Sequence, residues 1–155
     1  MLDKLISDEW FAGNIYKQFV MLVSKEQRNA IKEPMLDVAN DELNDHYESL
    51  VEFALQNGYS IPTTYNEMKK HADKPDVKLF EECKKNEDAI FYIKHGIESE
   101  KRAIETYEQY VDVDWLNLVP ELQLIVKNNF YDEIEHLNTF EFMKTSIEAM
   151  QRFPA

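Results

Sequence analysis

Four glutamates sit where apolar side chains belong. In this 155-residue chain, Glu9, Glu42, Glu100 and Glu133 each interrupt a hydrophobic stripe that repeats at helical spacing. Burying an unpaired carboxylate costs on the order of several kcal/mol, so a buried one is protonated, paired or bound to a metal. The spacing adds to this. Glu9 and Glu42 lie 33 residues apart, and so do Glu100 and Glu133. In two antiparallel helical hairpins, equal offsets set both pairs at similar height, facing one another about a pseudo-twofold axis. His136 follows Glu133 by three residues, and Asp45 stands in the same relation to Glu42. Residues three apart share nearly one helix face. The chemistry this predicts is a pair of metal ions held by Glu9, Glu42, Asp45, Glu100, Glu133 and His136. Oxygen-rich donors with an imidazole suit divalent iron or manganese better than copper or a thiolate zinc.

Such a site needs four long helices to carry it. The periodicity predicts them over 7–25, 34–57, 87–111 and 120–152. Ser7 or Asp8 is the expected cap of the first. A polar turn over 24–33 brings Pro34 to the first turn of the second, and Gly58 stops it. A further turn over 112–118 separates the last two. The connection over 59–86 is long enough to cross the bundle, and 63–71 can form a short helix with a Thr cap between Pro62 and Pro75. The expectation is a single all-α domain over 1–155, a four-helix bundle of two antiparallel hairpins joined by a long crossover.

Composition closes other routes. Three Gly and five Pro are too few for an all-β fold, and nine Phe with eight Tyr supply a core. One cysteine, Cys83, excludes an intramolecular disulfide and a CxxC metal site. It lies in the connection and is expected to be inert. The net charge of −13 repels nucleic acid and anionic lipid and attracts cations. No apolar run approaches the roughly 20 residues of a membrane span. The first residues lack a signal peptide's pattern, which points to the cytoplasm.

Glu9, Glu42, Glu100 and Glu133-Ile134-Glu135-His136 resemble the di-iron carboxylate pattern of the ferritin-like superfamily. Asp41-Glu42-Leu43 with a histidine just beyond, and the stretch Glu100 to Tyr107, are similar to bacterioferritin and to bacterioferritin-like Dps proteins. The resemblance covers nearly the whole chain except 59–86. It implies a ferroxidase, an iron-storage and detoxification protein that oxidises Fe(II) with O2 or H2O2 at two iron positions inside each subunit. Glu9, Glu42, Glu100, Glu133 and His136 would be its catalytic ligands. Alternatives are a di-metal oxidase or peroxidase that stores nothing, and a metal-free bundle serving assembly.

Three departures from the family stand out. Its second histidine is replaced by Asp45, which is the favoured ligand here. His46 comes one place late and would serve only through an irregularity such as a π-bulge. Arg102 stands where some Dps-like relatives carry a cysteine. No methionine is placed as bacterioferritin's haem ligand, so no haem is expected. Tyr16 and Tyr107 each lie seven residues after a glutamate, two turns along the same face. By resemblance they hydrogen-bond the ligands and lend an electron. The resemblance also implies a homo-oligomeric shell. A crossover helix, with no room for a fifth helix after 152, favours twelve subunits over twenty-four.

Overall fold

The computed structural model describes residues 1–83, 88–111 and 119–153. The fold is all-α. Helix α1 (Leu2–Leu22) turns into α2 (Lys25–Asn40), which runs through a π-helical stretch (Asp41–Tyr47) into α3 (Glu48–Gln56). These three segments form one long helix, since the residues at both junctions keep helical dihedrals. The crossover carries α4 (Tyr65–His71) and α5 (Lys74–Glu82), both packed on α1. Then α6 (Ala89–Val111) and α7 (Pro120–Arg152) pair along their length.

Several boundaries depart from the sequence expectation. Helix α1 begins at Leu2, and Ser7 is a fully buried interior residue, because Leu5 and Ile6 pack inward ahead of it. The polar turn over 24–33 is mostly helix, and the chain reverses at Val23 and Ser24. Arg28 makes the tight reversal possible. Its guanidinium donates to the carbonyls of Val20, Met21 and Val23 at 3.1–3.3 Å, satisfying the open end of α1. Pro34 therefore lies inside α2, not at its start. An interior proline costs about 3 kcal/mol, which the full burial of Ile31 and Met35 on either side offsets.

Other signals act as expected. Gly58 has a φ of 77°, and the N–H of Tyr59 reaches back to the Ala54 carbonyl at 2.9 Å, closing α3. Thr64 caps α4, accepting from the Glu67 N–H at 3.2 Å, while Glu67 accepts from the Thr63 N–H at 2.8 Å. The second crossover helix, α5, was not expected; Pro75 sits in its first turn. The expected turn over 112–118 lies outside the described residues, as does the expected start of α6 at 87.

The core divides in two. One cluster gathers Phe11, Ile15, Phe19, Tyr92, Phe140 and Met143. The other gathers Leu5, Ile6, Leu50, Phe53, Leu122 and Val126. Along α1, α6 and α7, the glutamates lie between the residues of one cluster and those of the other. The helices approach closely there: a Cβ on Gly13 would fall 2.4 Å from Leu43 Cγ in the π stretch, so α1 tolerates only glycine at this point without a shift.

Candidate metal centre

All four glutamates are 2% exposed or less, one from each long helix. Their donor atoms converge with those of His46 and His136 into two overlapping groups. One is Glu9, Glu42, His46 and Glu133; the other is Glu42, Glu100, Glu133 and His136. Within each group the donor atoms lie within 4.8 Å of one another. Glu42 and Glu133 belong to both. The geometry thus brings these two to the middle.

The side chain that the structure brings into the cluster beside Glu42 is His46, where the sequence favoured Asp45. Asp45 is exposed and belongs to neither group. In the π-helical stretch the backbone holds one residue more per turn, so the residue four after Glu42 takes the place that the third would occupy in an α-helix. His46 is consequently buried, with Nδ1 3.6 Å from Glu42, 3.4 Å from Glu9 and 2.9 Å from Glu133. On the other side His136 Nδ1 lies 2.6 Å from Glu42, 3.7 Å from Glu133 and 3.9 Å from Glu100.

These donors fit a cation better than each other. Glu9 Oε2, Glu42 Oε1, Glu100 Oε2, both oxygens of Glu133 and Nδ1 of each histidine are buried without a hydrogen bond. The short Nδ1-to-oxygen distances lack hydrogen-bond directionality, and the donor atoms simply gather in one place. Buried polar atoms in native proteins nearly always have partners, so seven orphans meeting in one place mark a ligand site.

The outward atoms of both histidines, Glu9 and Glu100 are engaged. His46 Nε2 pairs with Asp132 Oδ2 and His136 Nε2 with Asp41 Oδ2, both at 3.0 Å. A proton on Nε2 leaves Nδ1 as the donor to a metal, and a carboxylate behind a histidine raises its basicity. Tyr16 donates to Glu100 Oε1 at 2.7 Å, and Tyr107 to Glu9 Oε1 at 2.6 Å. Each tyrosine therefore crosses to the glutamate of the opposite hairpin. Asn129 donates to the Tyr107 hydroxyl at 3.1 Å. Asp41 and Asp132 were missed in the sequence. The available signal was that each directly precedes a core glutamate.

Electrostatics match this picture. Burial, with the repulsion of Glu133, holds the Glu42 and Glu100 carboxyls well above their ordinary range. Glu133 goes the other way. Its burial opposes ionisation, but the close approach of Glu100 and His46, with the charge of both histidines, pulls it well below that range. For His46, burial favours the neutral ring, yet the Glu9 charge, the bond to Asp132 and the nearby Glu133 carboxylate win and raise it far above its usual value. Protons thus stand in for cations in this cluster, and metal binding must release them.

No curated protein matches the sequence. A solved structure described as a dodecameric thioferritin, the bacterioferritin-related protein from Bacteroides fragilis, superposes with a TM-score of 0.75. It covers 97% of this chain and 86% of that one at 18% identity, a likeness of fold. The family model for the ferritin-like domain matches residues 1–150. With nearly the whole chain matched and a bundle of that shape built around the four glutamates, the chain belongs to the ferritin-like family.

Proposed function

We propose that this protein is a ferroxidase that takes two Fe(II) ions as substrate, side by side, and passes their electrons to dioxygen or hydrogen peroxide. The observation that carries the reading is the pair of buried four-residue donor groups sharing Glu42 and Glu133, with seven donor atoms left unpartnered. In this reading Glu9 and His46 hold one ion and Glu100 and His136 the other. Glu42 and Glu133 span both. Asp45 takes no part.

Hard anionic oxygens favour Fe(III) over Fe(II), so the donor set makes each bound ion a better reductant. Two Fe(II) ions give up one electron each. Dioxygen takes both electrons and two protons to become hydrogen peroxide; with peroxide as oxidant, the O–O bond breaks and two waters form. The hydroxyls of Tyr16 and Tyr107 hold one oxygen of Glu100 and Glu9, leaving the other to face inward. Asp41 and Asp132 keep both imidazoles in the ligating tautomer.

The dodecameric state of the bacterioferritin-related neighbour supports a twelve-subunit shell here, with iron storage and detoxification as its purpose. No helix among the described residues is long and apolar enough to cross a membrane. A lone cysteine agrees with the reducing cytoplasm as the place of action.

The test is Fe(II) oxidation followed by ferric absorbance, aerobically and anaerobically with peroxide, beside anomalous scattering from Zn(II)- or Mn(II)-soaked crystals. Two metal positions and ferric formation at two Fe(II) per chain support the reading; oxidation no faster than in protein-free buffer ends it. Light scattering tests the shell: a mass near one or two chains of 18.4 kDa would remove storage and leave only the oxidase.

A further inference from the structure

The buried face of α7 runs Leu122, Val126, Asn129, Glu133, His136 and Phe140. Glu133 and His136 belong to the metal centre. Asn129, 4% exposed, is one more polar side chain where the stripe calls for an apolar one. A buried amide costs stability unless it is hydrogen-bonded. Asn129 donates from Nδ2 to the Tyr107 hydroxyl at 3.1 Å. The residue also lines a surface pocket of about 380 Å³, together with Ser49, Asn128 and Tyr131. It thus stands between the flank of the bundle and the buried phenol.

The direction of this bond follows from its neighbours. A phenol has one proton, and an ionised carboxylate only accepts. The Tyr107 hydroxyl lies 2.6 Å from Glu9 Oε1, so its proton goes to Glu9. The phenol oxygen then accepts, and the amide must present Nδ2 to it. Amide, phenol and carboxylate therefore form a chain polarised one way, and hydrogen bonds in such a chain strengthen one another. The chain ends on Glu9 Oε1 and leaves Oε2 without a partner, 3.4 Å from His46 Nδ1. The Glu100 side is built differently. Tyr16 donates to Glu100 at 2.7 Å, and its ring rests on Phe140 with centroids 4.9 Å apart. The neutral group that acts on its hydroxyl is Ser99, which has a single proton and also acts on Asp76. Tyr107 has a donor of its own, and Tyr16 shares one.

We propose that Asn129 is a positioning residue that commits the Tyr107 proton to Glu9, and so makes the Glu9–His46 position the tighter of the two for a divalent ion. The proposal rests on the ferroxidase reading. Asn129 touches no metal. It acts through the Tyr107 hydroxyl, which fixes one oxygen of Glu9 and turns the other to the centre. Without the amide the phenol is free to rotate away from Glu9, and the carboxylate loses its fixed orientation.

The experiment is Co(II) titration of the full-length chain, read by visible absorption, with anomalous scattering from crystals at limiting Co(II) to locate the ion. Asn129→Leu keeps the side chain's size and removes the amide. It is expected to weaken one Co(II) equivalent about tenfold, the low end for an outer partner because Asn129 lies one bond further out, and to leave the other within about twofold. The occupancy lost should be at Glu9 and His46. With Tyr107→Phe already in place, Asn129→Leu should add less than about twofold; with Tyr16→Phe in place it should keep its full effect. A side chain that merely packs would show its loss in both backgrounds. Asn128→Leu, exposed on the same pocket, should stay within about twofold of the parent. If circular dichroism shows Asn129→Leu unfolded, Asn129→Ala, which only trims the side chain, carries the same expectations. Parent-like affinities in the folded variant overturn the role of Asn129 alone. So does equal weakening of both equivalents, or a tenfold loss that persists with Tyr107→Phe. A parent protein that binds no Co(II) overturns this role and the ferroxidase reading together.

Discussion

The two halves of the centre reach the same arrangement by different backbones. In one, Glu133 and His136 sit three residues apart on the regular helix α7. In the other, Glu42 and His46 sit four apart, and the helix opens into a π turn to absorb the extra residue. The products are closely similar. Each histidine turns Nδ1 to the shared carboxylates and Nε2 to an aspartate at 3.0 Å, and each aspartate directly precedes the shared glutamate of the other hairpin. The two rings lie 5.5 Å apart and 28° from parallel. What is held constant is where the donor atoms are, not the spacing that delivers them. A π turn is locally less favourable than an α turn, and it sits where α1 offers Gly13 to the bulky Leu43. The neighbouring helix thus accommodates the irregularity.

The largest effect should come from destroying one half outright. Glu133→Ala with His136→Ala removes a carboxylate shared by both positions and one imidazole. Rapid Fe(II) oxidation should fall by more than the roughly 100-fold that losing a ligand's outer partner produces. Helix content should persist, because removing mutually repelling buried carboxylates does not weaken the apo fold. Oxidation at the parent rate would refute the assignment.

A smaller loss should follow from the supporting aspartates. Asp132→Asn and Asp41→Asn each leave the ligand in place but weaken its orientation and basicity. Either should lower Zn(II) affinity about 10- to 100-fold by competition titration. If the two halves are equivalent, the two losses should match. A loss confined to Asp132→Asn would show that the π-borne His46 depends more on its partner than His136 does.

Much of this was legible in the sequence, and the misses share a cause. The bundle follows from apolar periodicity, and the four glutamates stood out because each broke it. Periodicity measures an average turn, so it cannot register one inserted residue. That is why Asp45 was favoured and His46 set aside. The reversal at Val23 escaped for a related reason: Arg28 satisfies the end of α1 from inside α2, so no Gly or Pro is required at the turn itself. Asp41 and Asp132 were visible as two Asp-Glu pairs, but their partners lie 95 and 86 residues away in sequence, a contact only the fold supplies.

Acidity offers a gentler probe of the cluster in the apo chain. Glu42 and Glu100 are raised above their ordinary range, and Asp8 is pushed up to about 7 by burial and by Asp73. The folded apo chain therefore keeps protons that the unfolded chain loses above about pH 4. His46, also raised, adds the same sign above its ordinary value of 6.5. The stability these groups confer is present at low pH and lost as pH rises. Glu133 is lowered and acts oppositely, but only below 4.5. In EDTA, the melting temperature should fall from pH 5 to pH 7.5. With excess Zn(II) the trend should reverse, because ligation requires the deprotonated donors. A rising apo curve over that range would contradict the protonated cluster.

The smallest effect is expected where the two halves are made alike. Deleting Asn44 removes the extra residue, so Glu42 and the histidine stand three apart, as Glu133 and His136 do. A π turn is an α-helix with one residue inserted, so the deletion should let α2 run into α3 without moving either flank. The imidazole should then arrive at the same place, and Fe(II) oxidation should stay within a few-fold of the parent. Asp45→His is the matching control. It supplies a histidine three after Glu42 but on the exposed side of the π turn, so the rate should not change. His46→Ala in the same background should cripple the site even with His at position 45. Should Asp45→His instead rescue His46→Ala, the π turn would be a convertible feature of this helix, able to relax to α-geometry when a ligand is offered at the regular spacing. Should the Asn44 deletion fold normally yet lose metal, the π turn must do more than correct the register, and the close fit of Leu43 against Gly13 would be the contact to examine.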